Sequence, residues 1–163
     1  MQNLEYDDLH PIDLVQSLAQ SRAWVFERMH DDQIAVVVEG VWQQYAISLA
    51  WSEQTETLRL VCSFEFSPPS ERLPALYETL NLANEGCWTG AFSYWKEQEV
   101  VAFVYGLNLS GGALASPAQV DDMVGLSVAA CEKLYPAFQL VSWGDDTPHA
   151  ALRVAINDGY GRA

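Results

Sequence analysis

Residues 41–66 read VWQQYAISLAWSEQTETLRLVCSFEF, and the spacing of their large side chains decides the fold class. Tyr45, Ile47, Leu49 and Trp51 recur at every second position, with Val41 in phase before them and Gln43 as the exception. Between them stand Gln44, Ala46, Ser48, Ala50 and Ser52, all small or polar. Beyond Ser52-Glu53-Gln54-Thr55-Glu56 the same phase resumes with Leu58, Leu60, Cys62, Phe64 and Phe66. A helix would bring apolar residues round every three or four positions. Period two belongs to strands with one face on a core, so the stretch predicts an antiparallel pair joined by a short turn.

Working outward from that pair, the upstream chain extends the sheet. Pro11 suits the first turn of a helix reaching about Gln20, with Ile12, Val15, Leu18 and Ala19 as its buried stripe. Trp24 to Met29 reads as extended, Asp31-Asp32 as a turn, and Gln33 to Val38 as a strand with Ile34, Val36 and Val38 on one face. Glu39-Gly40 is expected to close a tight hairpin, which makes a four-stranded meander. Downstream, Ser67-Pro68-Pro69 breaks the sheet, and Ser70 can cap a helix with the stripe Leu73, Leu76, Tyr77, Leu80, Ala83 and Cys87. Two more strands follow, Ala91 to Lys96 and Val100 to Leu109. Ser116-Pro117-Ala118-Gln119 is a capping box that starts a long helix, which Pro136 should kink or end. Thr147-Pro148 starts a last helix to about Asn157. The expected fold is α+β, an antiparallel sheet with helices packed mainly on one face.

Length and composition narrow the function classes. The chain has 163 residues, 50% of them hydrophobic, which suits one folded domain and excludes disorder. We expect an N-terminal arm over 1–10, a single domain over 11–158 and a tail over 159–163. With 22 acidic against 8 basic residues the formal charge is −14, which would repel a phosphate backbone, so no nucleic-acid partner is expected. Residues 1–10 carry Glu5, Asp7 and Asp8 without a basic or apolar signal region, and no apolar run approaches a membrane span. Three cysteines, Cys62, Cys87 and Cys131, form no CxxC and fall on apolar faces, as core thiols of a reducing cytoplasm do.

Each chemical motif has a plainer explanation. His10, His30 and His149 share no metal spacing with one another or with a cysteine. The pairs Asp7-Asp8, Asp31-Asp32, Asp121-Asp122 and Asp145-Asp146 sit in a tail, two turns and the start of a helix, and none has the spacing of a calcium loop. Ser110-Gly111-Gly112 lacks the Lys of a phosphate loop and reads as a connector. Cys87 has no imidazole or basic neighbour in sequence to make it a thiolate. No cofactor, metal or catalytic residue is therefore expected.

The segments Leu76-Tyr77-Glu78-Thr79-Leu80-Asn81-Leu82-Ala83-Asn84, Trp88-Thr89-Gly90-Ala91-Phe92 and Cys131-Glu132-Lys133-Leu134-Tyr135-Pro136-Ala137-Phe138-Gln139 resemble the YbjN-like family. So do Asp31-Asp32-Gln33-Ile34-Ala35-Val36 and Gly40-Val41-Trp42-Gln43-Gln44-Tyr45. The resemblance implies a bacterial sensory-transduction or stress-response regulator with a fold like that of type III secretion chaperones. Those are small, acidic, cytoplasmic and commonly dimeric proteins that bind polypeptides. It brings no active-site residue.

One surface remains unexplained by the core. Trp42, Ala46, Ser48 and Ala50, continued by Val61 and Ser63, form a face neither charged nor bulky. We expect it to bind protein, a client or a second subunit, with Trp42 as anchor. The competing expectation is that one of the chain's own helices, for example the last, covers it. A non-enzymatic adaptor follows from the first; the alternative class is a small-ligand binder, or an enzyme whose site is built from residues distant in sequence.

Overall fold

Alternation in the chain becomes a six-stranded antiparallel sheet in a computed structural model that describes residues 10–160. The elements are α1 (Pro11–Ser21), β1 (Val25–His30), β2 (Gln33–Glu39), β3 (Gln44–Ser52), β4 (Thr57–Glu65), α2 (Leu73–Glu85), β5 (Gly90–Trp95), β6 (Val100–Asn108), α3 (Pro117–Trp143) and α4 (Pro148–Tyr160). The strand order β1-β2-β3-β4-β6-β5 keeps the meander intact and adds the last hairpin in reverse, so that β6 lies inside the sheet and β5 at its edge. Residues 1–9 of the expected arm and 161–163 of the expected tail lie outside the described residues, and α4 runs on to Tyr160.

The register shows why one face is buried. Ile34 pairs with Leu49 and Leu49 with Leu60, while Val36 pairs with Ile47 and Ile47 with Cys62, so rows of large side chains cross the sheet. Ile34, Tyr45, Ile47, Leu49, Leu60 and Phe64 are all buried, and they pack against Ile12 and Val15 of α1, Leu76 of α2 and Val120, Met123 and Phe138 of α3. All four helices serve this one core cluster, α4 through Ala151 and Ala155. At roughly 25 cal/mol per Å² of apolar surface, such burial is the main stabilising term of the fold.

Local signals explain the helix ends. Ser116 and Gln119 form the predicted capping box: Ser116 Oγ accepts from Gln119 N at 3.1 Å, and Gln119 Oε1 accepts from Ser116 N at 2.9 Å. At α1 the cap is His10, whose Nδ1 accepts from Ile12 N at 3.2 Å while Nε2 meets Asp32 Oδ1 at 2.9 Å. Arg28 ties the β1–β2 turn to α1, donating to the carbonyls of His30 and Asp31 and to Asp13 Oδ1. Arg72 donates to Val141 O at 2.7 Å and so satisfies a carbonyl of the last turn of α3.

Several expectations are corrected. The β2–β3 connection is a four-residue loop, Gly40 to Gln43, and not a tight turn at Glu39-Gly40, because Glu39 pairs with Gln44 and Gly40 N donates to Gln43 O at 2.8 Å. Val41 therefore leaves the strand and is 89% exposed. Ser70 caps nothing, since Ser70–Arg72 winds as a 3₁₀ turn directly into α2. Within α2, Tyr77 is exposed and Thr79 takes the inward place; its Oγ1 donates to Ala75 O at 2.7 Å, which makes a hydroxyl compatible with burial. Pro136 does not end α3, which continues to Trp143.

Candidate binding face

Opposite the core, the same strands present their alternate residues. Ala35 pairs with Ser48, Ser48 with Val61 and Val61 with Val104; one row along, Val37 pairs with Ala46, Ala46 with Ser63 and Ser63 with Ala102. Because side chains alternate strictly, these residues share one face. The last helix, α4, packs on α2 and α3 and not on this face. Ala46, Ser48, Ala50, Val61 and Ser63 line a shallow groove of about 410 Å³ together with Arg59 and Trp95.

Trp42 does not belong to it. In the Gly40–Gln43 loop its indole stacks on Tyr135 of α3, with ring centroids 6.1 Å apart and planes at 28°. Tyr135 in turn packs edge-on against Phe64 and Phe66 of the core face. The alternation of β3 begins at Gln44, two residues after Trp42, and does not reach the indole. Glu132 holds the loop there: it lies 3.4 Å from Trp42 N, and a Cβ at Gly40 would collide with its carboxylate and with the Tyr45 ring. This close approach is the reason for glycine at that position.

The aromatic residue on the open face is Trp95. It ends β5 on the same phase as Ala91 and Ser93, whereas Phe92 and Tyr94 point to the core. Its Nε1 donates to Ser93 Oγ at 2.9 Å, which anchors the indole over the small residues. The signal was present in Gly90–Trp95, because small and large side chains alternate there as they do in β3.

Hydrogen bonds and charge define the rest of the surface. Gln33 Nε2 donates to Ser48 Oγ at 3.2 Å and Ser63 Oγ donates to Ala46 O at 3.3 Å, so the hydroxyls are occupied within the sheet. Glu27, Glu39 and Glu65 fall on this phase of their strands against the single cation Arg59, which gives the face an acidic border. The β5 edge is partly closed: Asn84 accepts from Phe92 N at 2.6 Å and donates to Phe92 O at 3.0 Å, in the manner of a neighbouring strand.

Among the described residues, Tyr45, Cys87, Tyr94 and Cys131 are each held toward the protonated form. Cys62 and Cys131 are buried with their Sγ atoms 3.9 Å apart, and the contact with Cys62 together with burial pushes the Cys131 thiol far up. Burial also raises Cys87, only partly offset by Lys133. Tyr45, fully buried, has its phenol held neutral by desolvation and by the Glu132 charge. Each shift moves away from the ionised form that a nucleophile needs. Among the described residues no three His, Cys, Asp or Glu side chains come together as metal ligands, and no helix is long and apolar enough to cross a membrane. Gly111 and Gly112 both adopt positive φ, 74° and 76°, in an exposed turn that fits a connector.

Residues 11–140 match the model of the YbjN family, whose description is "Putative bacterial sensory transduction regulator". No curated protein matches the chain. Among solved structures, the crystal structure of YbjN from E. coli, described there as "a putative transcription regulator", superposes with a TM-score of 0.54. It covers 91% of this chain and 94% of its own at 12% identity, a likeness of fold.

Proposed function

Because this chain belongs to the YbjN family, whose model spans most of it, we propose that it is a non-enzymatic regulatory adaptor that binds another protein on the open face of its sheet. The observation that carries this reading is the composition of that face. Solvated sheet faces are normally polar throughout, and buried ones carry large apolar side chains. Ala46, Ser48, Ala50, Val61 and Ser63 satisfy neither requirement, and none of the described helices needs them small. A flat floor with one indole at its side permits close approach of a partner helix or sheet. The acidic border formed by Glu27, Glu39 and Glu65 favours a partner whose contact surface is apolar with a basic rim.

We place this activity in the cytoplasm, a reading supported by three unpaired thiols and by the acidic composition. A homodimer through the same face competes with a distinct protein partner, and the charge of −14 per chain opposes it. Affinity capture from native cytoplasm with the wild type and with the Ala46→Glu, Trp95→Ala double variant tests the reading. The partner is expected to be lost, a weakening of at least ~2 kcal/mol, while circular dichroism stays native. Trp42→Ala should retain it. A double variant that stays folded and captures the same partner at the same yield would show that the face is not the binding surface.

A further inference from the structure

Away from the sheet's open face, α2, α3 and α4 leave between them a cavity of about 540 Å³, within the roughly 300–1,000 Å³ of small-ligand sites. Phe103 of β6, Leu126 and Leu134 of α3, and Leu152 and Ile156 of α4 give it an apolar lining. The residues at its mouth are more exposed than core packing explains. Trp88 is 98% exposed, Leu126 49% and Ile156 41%, so an occupant would remove a contiguous apolar surface from water.

Charge selects the kind of occupant. Lys133 lines the cavity and has no ion-pair partner among the described residues, in a chain where acids outnumber bases 22 to 8. Among the side chains of residues 10–156, Glu85 is the one carboxylate in the lining. At Cys87, which also faces the space, Lys133 is the charge that is felt, and it draws the thiol down against the larger upward effect of burial. Lys133 thus places a cation beside the apolar lining. We propose that this cavity binds a single-chain amphiphile with an anionic head, a medium-chain carboxylate being the simplest, with the head at Lys133 and the chain among Leu126, Leu134, Leu152 and Ile156. The site is independent of the sheet face, so either can fail without the other.

Calorimetric titration with decanoate, kept below its micelle concentration, tests the site directly. We expect saturable one-to-one binding that slows labelling of Cys87, the one cysteine of the three that is not buried. Lys133→Met should weaken decanoate about fivefold, the scale of a single exposed ion pair, and leave decan-1-ol unchanged. Leu126→Glu, at a half-exposed position that tolerates charge, should abolish decanoate binding with the circular dichroism unaltered. Absence of saturable binding, an unchanged Cys87 labelling rate at saturation, equal decanoate affinity in Lys133→Met, or tighter binding of decylammonium than of decanoate would each overturn the proposal.

Discussion

On β3 and β4 the face turned to the helices carries Tyr45, Ile47, Leu49, Leu60, Cys62 and Phe64, all buried, whereas the reverse face carries Ala46, Ser48, Ala50, Val61 and Ser63 and meets no helix among the described residues. The two sets alternate along the same backbone, so strand propensity and register are common to both. Only packing distinguishes them. The large set is accounted for by the space between sheet and helices, which side chains must fill at near-crystalline density. The small set has no such cause among the described residues, and that asymmetry is what makes the open face a candidate for function.

The largest effect should come from the core side. Phe64, 2% exposed, touches the rings of Tyr45, Phe66 and Tyr135, so Phe64→Ala should cost about 3–5 kcal/mol through lost transfer energy and a residual cavity. Chemical denaturation measures it, and a loss under 1 kcal/mol would erase the distinction between the faces.

Next in size is an alkaline effect confined to the core face. The folded state raises the Cys131 thiol above its ordinary 9.0 and the Tyr45 phenol above its ordinary 10.0, so both stay protonated when native and ionise more readily when unfolded. For a raised pKa the stabilisation is complete below the unfolded value and is lost as pH rises beyond it. Stability should therefore fall from about pH 9, with each group contributing about 1.4 kcal/mol per pH unit once its unfolded form ionises. Tyr45→Phe should flatten the slope above pH 10. The Tyr45 hydroxyl has no well-formed hydrogen bond to lose, so the same variant should be no less stable at pH 7. A curve for Tyr45→Phe that matches the wild type would remove the phenol from this account.

The smallest effects separate Trp42 from the face to which its sequence position pointed. Trp42→Ala removes a half-exposed stack on Tyr135 and should cost about 1 kcal/mol of stability. Ala46→Gln, on the open face, should change stability by no more than about 0.5 kcal/mol. Equal costs in thermal and denaturant unfolding would place the two residues in one environment after all.

What could be read from the chain by itself was whatever depends on near neighbours. Alternation in Tyr45 to Trp51 and Leu58 to Phe66 determined the strands and which residues share a face, since side-chain direction repeats every two residues regardless of context. Ser116 and Gln119 located the start of α3 because a capping box closes within one turn. Local rules lost their hold where the backbone leaves its period: phase carried past Gln44 put Val41 in the core and Trp42 on the wrong surface. The correct aromatic, Trp95, was visible as alternation in β5, but only the pairing of β6 with β4 brings that hairpin beside Val61 and Ser63. The 3.9 Å approach of Cys62 to Cys131 and the cavity around Lys133 likewise join residues far apart in sequence. Such contacts are chosen by how helices and sheet pack together, and tertiary structure alone decides them.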